Sequence, residues 1–519
     1  MIAWTFEWSW AGESGTATDI DPRWVQRAAL YSDDAGTKTV TLSIVLGIDV
    51  PALVAAGNHP YGGFGVLYAG DRVVIAGSWR SVSYETADDP VEIQITESEA
   101  RDTSIIPREG SVFRYVNPAL TDDRIAEFQR KYPTYEAIAK VVNDRNFTAL
   151  TTQRRAQGAV YPMVFGAPGS STIPGSPGLL TGNTGLPKRL MIAGHRVAAT
   201  TVTIWGPEFG DTTDTKQANG LVSQANRPVL HDVDLGGNEY AYVDFDTLYV
   251  IDTTQVGPYP DAEFWVSWTD GEALPGAAGD VLLMLYSASS LRVDTAAWQS
   301  MVPILNRWRL DGYIDELVSP SELARRAILP ILPVQVIASD DGLAPVVWPW
   351  LDLDSSVAVY ALEEGPGFSR ASRVSYSDNE PVAEVVFRYR PDAESGDYTD
   401  AVTVSAGETP YGQVSGALFG AFASGSTVDA SWVWDRPTAQ SLASARLVAR
   451  CVPRRRVRYA ADPDVYGIGG DMELRPGQVI SLTDDGLSMS GELCVVAEVE
   501  QTPVEMSVVL ELRDDPIRD

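Results

Sequence analysis

The chain has 519 residues and a formal net charge of −31, because 39 Lys and Arg stand against 70 Asp and Glu. Hydrophobic residues make up 45% of it, which is enough for several packed domains and excludes a disordered chain. A surface this acidic repels phosphate groups, so we expect no sequence-specific nucleic acid among the partners.

Most of the chain has the pattern of short strands between turns rich in Gly, Pro, Asp and Asn. In 90–96, Val and Ile alternate with Glu, Gln and Thr, which is the period of two of a strand with one buried face. The segments that we single out as strands are 37–46, 72–84, 90–96, 240–252, 383–390, 478–483 and 504–512.

Three stretches have a helical pattern. Apolar residues three or four apart over 122–142 predict two short helices separated by Pro133. Asp294 is the predicted N-cap of a helix that Pro303 kinks. The stretch 440–451 predicts a helix of three turns.

One further helix has a start signal of its own. Ser319 is followed by Pro320 and, three residues after the serine, by Glu322. This is a capping box with proline at the first helical position. We expect the helix to end before Pro330.

Breaks in composition divide the chain into four units. Gly, Pro and Ser dominate 166–185, which we interpret as a linker or a long loop. A second break lies around 363–368. The predicted units are 1–100, 101–165, 166–335 and 336–519.

A short pattern occurs twice. A Val-Ser-Tyr tripeptide at 82–84 and at 374–376 precedes a Pro-Val pair, at 90–91 and at 381–382, and then a predicted strand. Two unrelated β-hairpins produce such a similarity by chance, and two related β-domains at opposite ends of the chain would produce it too. Both interpretations stay open.

No recognised catalytic or ligand pattern is present in the sequence. Three histidines and two cysteines have no metal-binding spacing, and neither a nucleophile elbow nor a phosphate loop occurs. Cys451 lies near several arginines, but its place at the apolar end of a predicted helix favours a buried structural cysteine. We therefore expect no catalytic residue, no cofactor and no metal site, and we do not expect an enzyme.

The cysteine count and the lack of targeting segments indicate the cellular compartment in which we expect the chain. Two cysteines in so long a chain favour a reducing compartment, although one bridge between Cys451 and Cys494 stays open. The N-terminus has no signal-peptide pattern, and the longest nearly apolar run, 327–338, is shorter than the roughly 20 residues that span a bilayer. We expect no export by the usual route and no membrane insertion.

The strongest charge anomaly is an arginine cluster near the end of the chain. One interpretation is a strand whose arginines pair with acids on the same chain. The other is a partner interface that binds an acidic partner or a neighbouring subunit, since guanidinium groups bind carboxylates bidentately. The predicted interface residues are Arg454, Arg455, Arg456 and Arg458, with Arg450 close by.

Fourteen tryptophans, several of them two residues apart, suggest either packed cores or platforms for stacking sugars. Since acidic residues are abundant as well, the alternative function is a carbohydrate-binding or glycan-degrading β-protein. Trp265 and Trp348 would then contact the sugar.

Several segments together resemble tail-tip proteins of long-tailed bacteriophages. Gly-Ala-Val-Tyr-Pro-Met-Val-Phe-Gly at 158–166 resembles a tail-tip segment, and the apolar patterns at 278–285, 310–314 and 329–333 are similar to the central part of baseplate hub proteins. The ending that starts with Leu-Arg-Pro-Gly-Gln-Val-Ile at 474–480 is similar to the last β-domain of such hubs. The resemblance is thus to the baseplate hub, or tail hub, of siphovirus-like phages.

This resemblance implies a mainly β, multidomain fold with two tube-like β-barrel domains flanking a mixed α+β middle region. Under it, 1–100 is an N-terminal β-barrel-like hub domain and 101–165 a helical or mixed connector. The range 166–335 is a central β-rich domain with helices, and 336–519 is a C-terminal β-barrel-like hub domain.

The resemblance also implies a structural role in the virion. Hub proteins form a homotrimeric ring in the tail tip, which joins the tail tube or distal tail protein to tail fibres and receptor-binding proteins. The ring surrounds the tape-measure protein and the DNA channel, and it serves host cell attachment and DNA ejection. Assembly takes place in the bacterial host cytoplasm, without membrane insertion before infection.

Overall fold

The computed structural model of the chain describes a defined set of residues. These are 4–18, 21–26, 39–44, 46, 48–59, 63–69, 72–84, 91–97, 104–107, 160–181, 189–206, 222–233, 239–244, 264–339, 342–351, 358–376, 382–392, 397–408, 424–451, 454–467, 470–501 and 505–512. The two helices predicted within 122–142 lie outside this set.

Alternating aromatic residues begin the first strand, where Trp4, Phe6, Trp8 and Trp10 are buried. This period of two directs one face of the strand into the core, where Trp8 and Trp10 contact the Trp79 ring. The N-terminal elements are β1 (Trp4–Trp10), β2 (Glu13–Ala17), β3 (Asp21–Gln26), β4 (Thr39–Ile44), α1 (Val50–Ala55), β5 (Phe64–Ala69), β6 (Arg72–Ser83) and β7 (Val91–Glu97).

The middle of the chain, as far as it is described, combines strands with three α-helices. Its strands are β8 (Met163–Phe165), β9 (Ser176–Thr181), β10 (Arg189–Ala193), β11 (Thr201–Gly206), β12 (Val222–Pro228), β13 (Leu230–Val233), β14 (Glu239–Asp244), β15 (Phe264–Asp270), β16 (Gly312–Ile314), β17 (Val334–Ser339) and β18 (Gly342–Val347). Its helices are α2 (Ala278–Ala288), α3 (Thr295–Leu305) and α4 (Pro320–Leu323), which continues as a π-helical turn, Ala324–Ile328.

The C-terminal part is again mostly strands. They are β19 (Tyr360–Glu363), β20 (Phe368–Arg370), β21 (Ser375–Tyr376), β22 (Val382–Pro391), β23 (Tyr398–Ser405), β24 (Ser424–Ala430), β25 (Arg455–Ala461), β26 (Val479–Asp484), β27 (Met489–Gln501) and β28 (Met506–Leu512). The helices here are α5 (Arg436–Arg450) and α6 (Pro463–Tyr466).

Both ends of the chain share one sheet of fourteen strands. Its main path runs β2-β1-β5-β6-β7-β4-β3-β27-β28-β25-β20, and β19, β21 and β26 pair at its C-terminal side. The two halves join where β3 pairs antiparallel with β27, with Gln26 opposite Glu500 and Val25 opposite Gln501. Each half forms a half-barrel, so the predicted mainly β, multidomain fold is confirmed.

Four smaller sheets are formed by the described residues. Seven strands form the sheet β12-β11-β15-β9-β10-β14-β13, and three form β23-β22-β24, while β8 pairs β16 and β17 pairs β18. The largest apolar core contains side chains of α2 and α3 together with side chains of β22 and α5. This core therefore crosses the predicted division between 166–335 and 336–519.

The predicted helix starts at Asp294 and Ser319 are confirmed. The Asp294 carboxylate accepts a hydrogen bond from the Ala297 backbone N–H at 2.9 Å. Ser319 Oγ accepts one from the Glu322 backbone N–H at 3.4 Å, with Pro320 at the first helical position. The helix predicted over 440–451 is longer, because Asp435 caps it five residues before the predicted range and the helix begins at Arg436.

One sequence interpretation is wrong in part. The interpretation of 166–185 as a linker or long loop fails for Ser176–Thr181, which is strand β9. Backbone pairing with β10 on one side and β15 on the other holds this strand despite its glycine and proline.

The repeated Val-Ser-Tyr pattern does not mark related topologies. At 82–84, the first copy ends β6, which pairs with the strand after the proline, β7. In the second copy, Ser375 and Tyr376 pair with β25, whereas the strand after the proline, β22, lies in a different sheet. Of the two open interpretations, the structure therefore favours chance similarity between two β-hairpin segments.

Candidate functional site: the motif junction and the arginine strand

Two of the segments that carry the family resemblance pair with each other. Strand β8 belongs to 158–166 and strand β16 to 310–314, and they run antiparallel as a two-stranded sheet. The opposed residues are Gly312 and Phe165, Tyr313 and Val164, and Ile314 and Met163. The pairing makes a junction, which we call the motif junction, between β8, β16 and the loops beside them.

A buried carboxylate lies at the centre of the motif junction. Asp311 has 2% of its surface exposed, and its Oδ1 accepts a hydrogen bond from the Ala167 backbone N–H at 2.7 Å. The Arg309 guanidinium donates to both carboxylate oxygens, at 2.9 and 3.1 Å. The Asp311 backbone N–H donates to the Trp432 carbonyl at 2.8 Å. One residue thus connects β8, β16 and the loop that precedes α5.

One arginine, Arg309, faces two carboxylates at this site. Burial raises the pKa of Asp311, while the Ala167 N–H and the Arg309 charge act in the opposite direction. Arg309 also forms an ion pair with Glu272. Burial opposes the charged form of Arg309, but Asp311 and Glu272 outweigh it and raise its pKa. The arrangement is a structural clamp.

Two glycines allow the segments to approach this closely. Gly166 has a φ of +63°, and a Cβ there would overlap Asp311 Oδ1. At Gly312, a Cβ would overlap the indole ring of Trp432. Side chains larger than hydrogen are therefore excluded on both sides of the motif junction.

A histidine fastens β8 to the seven-stranded sheet. The Val164 backbone N–H donates to His195 Nε2 at 3.1 Å, and His195 Nδ1 lies 2.9 Å from the Arg196 carbonyl. This pattern requires the neutral ring, with its proton on Nδ1. Burial lowers the pKa of His195, and the hydrogen bond to Arg196 only partly opposes this.

The predicted arginine cluster lies on and beside β25, at the C-terminal half of the large sheet. Arg456 pairs with Glu511 on β28, with Nη2 2.9 Å from Oε2. Arg458 donates to Glu500 on β27 at 2.7 Å and to Ser507 at 3.1 Å. For Arg456 and Arg458 the structure therefore contains same-chain ion pairs.

The remaining residues of the cluster lie at the start of β25. Arg454 Nη2 donates to the Val448 carbonyl in α5 at 3.1 Å, and its Nε lies 3.9 Å from Glu511. Arg455 is opposite Tyr376 in the strand pairing. A partner interface at Arg454, Arg455, Arg456 and Arg458 stays a prediction.

The tryptophans of the alternative function pack against the protein. Trp265 is half buried and meets the Tyr313 ring edge-on, with centroids 6.5 Å apart. Trp348 is half buried as well, and Trp268, Trp432 and Trp434 are buried. Core packing, and not a sugar platform, is therefore the use that the structure favours for these rings.

The two cysteines and the possible metal ligands were the remaining candidates for chemistry. Cys451 and Cys494 are both buried and free, and burial raises the pKa of the Cys451 thiol. In the part of the chain that the structure describes, no group of three His, Cys, Asp or Glu side chains is placed to hold a metal ion. Among the described helices, none is long and apolar enough to cross a membrane.

Sequence reasoning missed Asp311, His195 and Glu511. Asp311 precedes Gly312, and an Asp-Gly pair is ordinarily the sign of an exposed turn. The available signal was its position inside a motif segment with glycine on one side and apolar residues around it. Glu511 is opposite Arg456 across a strand pair, and sequence spacing of 55 residues does not indicate that contact.

Comparison with known proteins finds similarity in structure alone. No protein-family model matches the chain, and no curated protein matches it. The 43 kDa tail protein of prophage MuSo2 from Shewanella oneidensis is 9% identical, with 99% of this chain and 100% of that chain covered and a TM-score of 0.36. A tail protein from Neisseria meningitidis MC58 is 8% identical, with 99% and 97% covered and a TM-score of 0.38.

A chain in the virion of a native gene transfer agent particle is 12% identical, with 70% of this chain and 86% of that chain covered and a TM-score of 0.39. The solved structures that this chain resembles are thus tail and virion proteins. Since these TM-scores are below 0.5, a function has to follow from the chain's own residues.

Proposed function

We propose that this chain is a structural protein of a phage tail tip, a baseplate hub that acts as one third of a ring. The observation that carries the proposal is the fourteen-stranded sheet, in which β3 and β27 join an N-terminal half-barrel to a C-terminal one. Each chain therefore presents two β-modules side by side. Three chains in a closed ring would present six such modules to a sixfold tail tube.

The motif junction supports a mechanical role. Asp311 holds three segments through backbone and guanidinium hydrogen bonds, and Gly166 and Gly312 allow these segments to pack closely. A site that holds segments together, with its donors and acceptors used within the chain, suits transmission of force between neighbours. These contacts hold the fold together, which supports a structural, non-enzymatic role.

The charge of the chain supports a DNA-conducting position. A net charge of −31 on each copy gives a ring whose surfaces repel the phosphates of DNA. DNA would then slide through the channel without binding to its wall. The same ring would surround the tape-measure protein before ejection.

The finer parts of the proposal follow the family resemblance. The partners are two further copies of the chain, the distal tail or tail tube protein, the tape-measure protein, and tail fibre or receptor-binding proteins. The site of action is the virion tail tip, assembled in the host cytoplasm. The four units 1–100, 101–165, 166–335 and 336–519 are the proposed domains.

The experiment is a measurement of mass and association. Light scattering of the purified chain should give three times 56.1 kDa, and imaging should find the chain bound to other tail proteins. A monomer at all concentrations, without association with tail proteins, would contradict the proposal.

A further inference from the structure

Helix α5 carries two arginines whose charge is not balanced by the described residues around them. Arg446 and Arg450 are one helical turn apart, so their side chains are neighbours on one face. Burial and the nearby Arg450 charge both lower the pKa of Arg446. A like-charge pair in this position raises the free energy of the isolated helix.

The Arg446 side chain has unused hydrogen-bonding capacity. Its Nη1 donates to the Pro330 carbonyl at 2.7 Å, which is a neutral acceptor. Its Nε is buried and has no hydrogen-bond partner among the described residues. Buried guanidinium donors in proteins are ordinarily hydrogen-bonded, and their charge is ordinarily paired.

The Glu511 carboxylate serves two other arginines. Glu511 lies 2.9 Å from Arg456 and 3.9 Å from Arg454, and Arg454 in turn contacts the last turn of α5 through the Val448 carbonyl. Arg454 thus joins Arg446 and Arg450 at the C-terminal part of the helix, and it shares Glu511 with Arg456. This local excess of positive charge occurs in a chain whose net charge is −31.

We infer that Arg450, with Arg446 behind it, is a binding point for a carboxylate of another protein chain. Arg450 is half buried in the last turn of α5, where the helix carbonyls favour a cation. Its planar guanidinium group can bind a carboxylate through two parallel hydrogen bonds. An acidic segment placed there would neutralise the repulsion between the two arginines.

An acidic protein segment fits better than nucleic acid. A surface that follows a phosphate backbone needs a row of exposed basic groups, whereas here one half-buried arginine is backed by a second. The large negative charge of the rest of the chain repels a long polyanion more strongly than one carboxylate. The inference goes beyond the proposed function and does not depend on it.

The test uses the full-length chain, a hexaglutamate peptide as the probe, and Arg450→Gln as the variant. Isothermal titration at low ionic strength should give a dissociation constant about tenfold larger for the variant than for the parent. The matched control is Arg326→Gln, which removes an exposed arginine paired with Glu316 at 3.0 Å. The control should bind hexaglutamate like the parent.

Thermal unfolding without the peptide distinguishes a carboxylate of another chain from a carboxylate of this chain as the partner of Arg450. If no carboxylate of the chain binds Arg450, Arg450→Gln removes both a repulsion and a favourable charge at the helix end, and the melting temperature changes by less than about 2 °C. A fall of several degrees would mean that a carboxylate of the chain itself already binds Arg450, which would overturn the inference. Unchanged hexaglutamate binding by the variant, or no binding by the parent, would overturn it too.

A DNA duplex serves as the second probe. We expect the parent to bind the duplex more weakly than hexaglutamate. Tighter binding of the duplex, lost in Arg450→Gln, would overturn the choice of an acidic protein segment.

Discussion

The buried carboxylate of Asp311 accepts a hydrogen bond from the backbone N–H of Ala167, across 144 positions of sequence. The bond connects the ends of the two segments that resemble tail-tip proteins most clearly. Arg309 and Trp432 add further contacts to the same residue, so Asp311 links β8 and β16 to the loop between β24 and α5. The resemblance in sequence therefore corresponds to a joint in the structure.

Replacing Asp311 with alanine should destabilise the motif junction. The change leaves the Ala167 N–H and the Arg309 guanidinium without their acceptor, and a buried group in that condition costs about 3 kcal/mol. Urea unfolding followed by tryptophan fluorescence measures the loss. Arg326→Gln, which breaks an exposed ion pair, should change the free energy of unfolding by less than about 0.5 kcal/mol. Equal effects of the two variants would show that Asp311 is not a clamp.

Adding one methyl group at Gly312 should be costly. The alanine Cβ would overlap the Trp432 ring, and overpacking of this kind costs about 1–3 kcal/mol. Gly425→Ala is the matched control, since it also lies in a strand and its Cβ would meet no atom within 4 Å. Differential scanning calorimetry should register a lower melting temperature for Gly312→Ala alone. The close packing of β16 on Trp432 would be refuted if both variants melted like the parent.

Acidification should weaken the attachment of β8 through His195. Burial lowers the pKa of His195 in the folded chain, so below about pH 6.5 the unfolded chain binds a proton that the folded chain does not. The stability from the neutral ring is complete above about pH 6.5 and is lost as the pH falls towards the lowered pKa. The slope is at most about 1.4 kcal/mol per pH unit.

The measurement is the free energy of unfolding between pH 7.5 and 5 on the parent and on His195→Gln, whose side chain does not titrate. The variant should lack the part of the slope that begins near pH 6.5. Parallel curves for the two proteins would mean that His195 does not titrate on unfolding as described.

A disulfide should trap the join between the two half-barrels. Val25 and Gln501 are opposite each other in the β3–β27 pair, at a Cα separation that suits a disulfide. The double variant Val25→Cys/Gln501→Cys should therefore form an intrachain bridge on mild oxidation, read as a shift on a non-reducing gel. The native cysteines are buried and separate from this pair.

A control pair lies one strand further away. Val40 is opposite Val25 in β4, so Val40→Cys/Gln501→Cys places the thiols about two strand spacings apart, beyond the reach of a disulfide. This pair should stay reduced. Efficient bridging in the control, or none in the test pair, would refute the register of the join.

Local signals in the sequence predict local structure well. Asp294 and the Ser319-Pro320 pair mark helix starts because capping depends on residues within one turn. The alternation in 90–96 predicts β7 because apolar side chains face the core and polar side chains face solvent on alternate sides of a strand. These features need no knowledge of the rest of the chain.

Long-range contacts escape the same reasoning. Nothing in 176–181 shows that β10 and β15 will pair with it on both sides, which is why its glycine and proline indicate a loop. Periodicity likewise identifies β3 and β27 as strands but does not say that they pair across the length of the chain.

The candidate sites also combine features that the sequence shows with contacts that only the fold shows. An arginine-rich strand is visible in the sequence, yet the pairing of Arg456 and Arg458 with Glu511 and Glu500 depends on the register of β25, β28 and β27. The importance of Asp311 depends on a fold that buries it. Sequence alone therefore identifies which residues carry charge, and the sheet decides which of those charges are already paired.

Electron cryomicroscopy of the purified chain, or of the tail that contains it, tests the central claim most directly. The account predicts a closed ring of three copies with six β-modules around a central channel. Within each chain, the N-terminal and C-terminal half-barrels should be adjacent and joined through β3 and β27. A single copy with a closed surface, or a ring in which the N-terminal and C-terminal half-barrels lie apart, would contradict it.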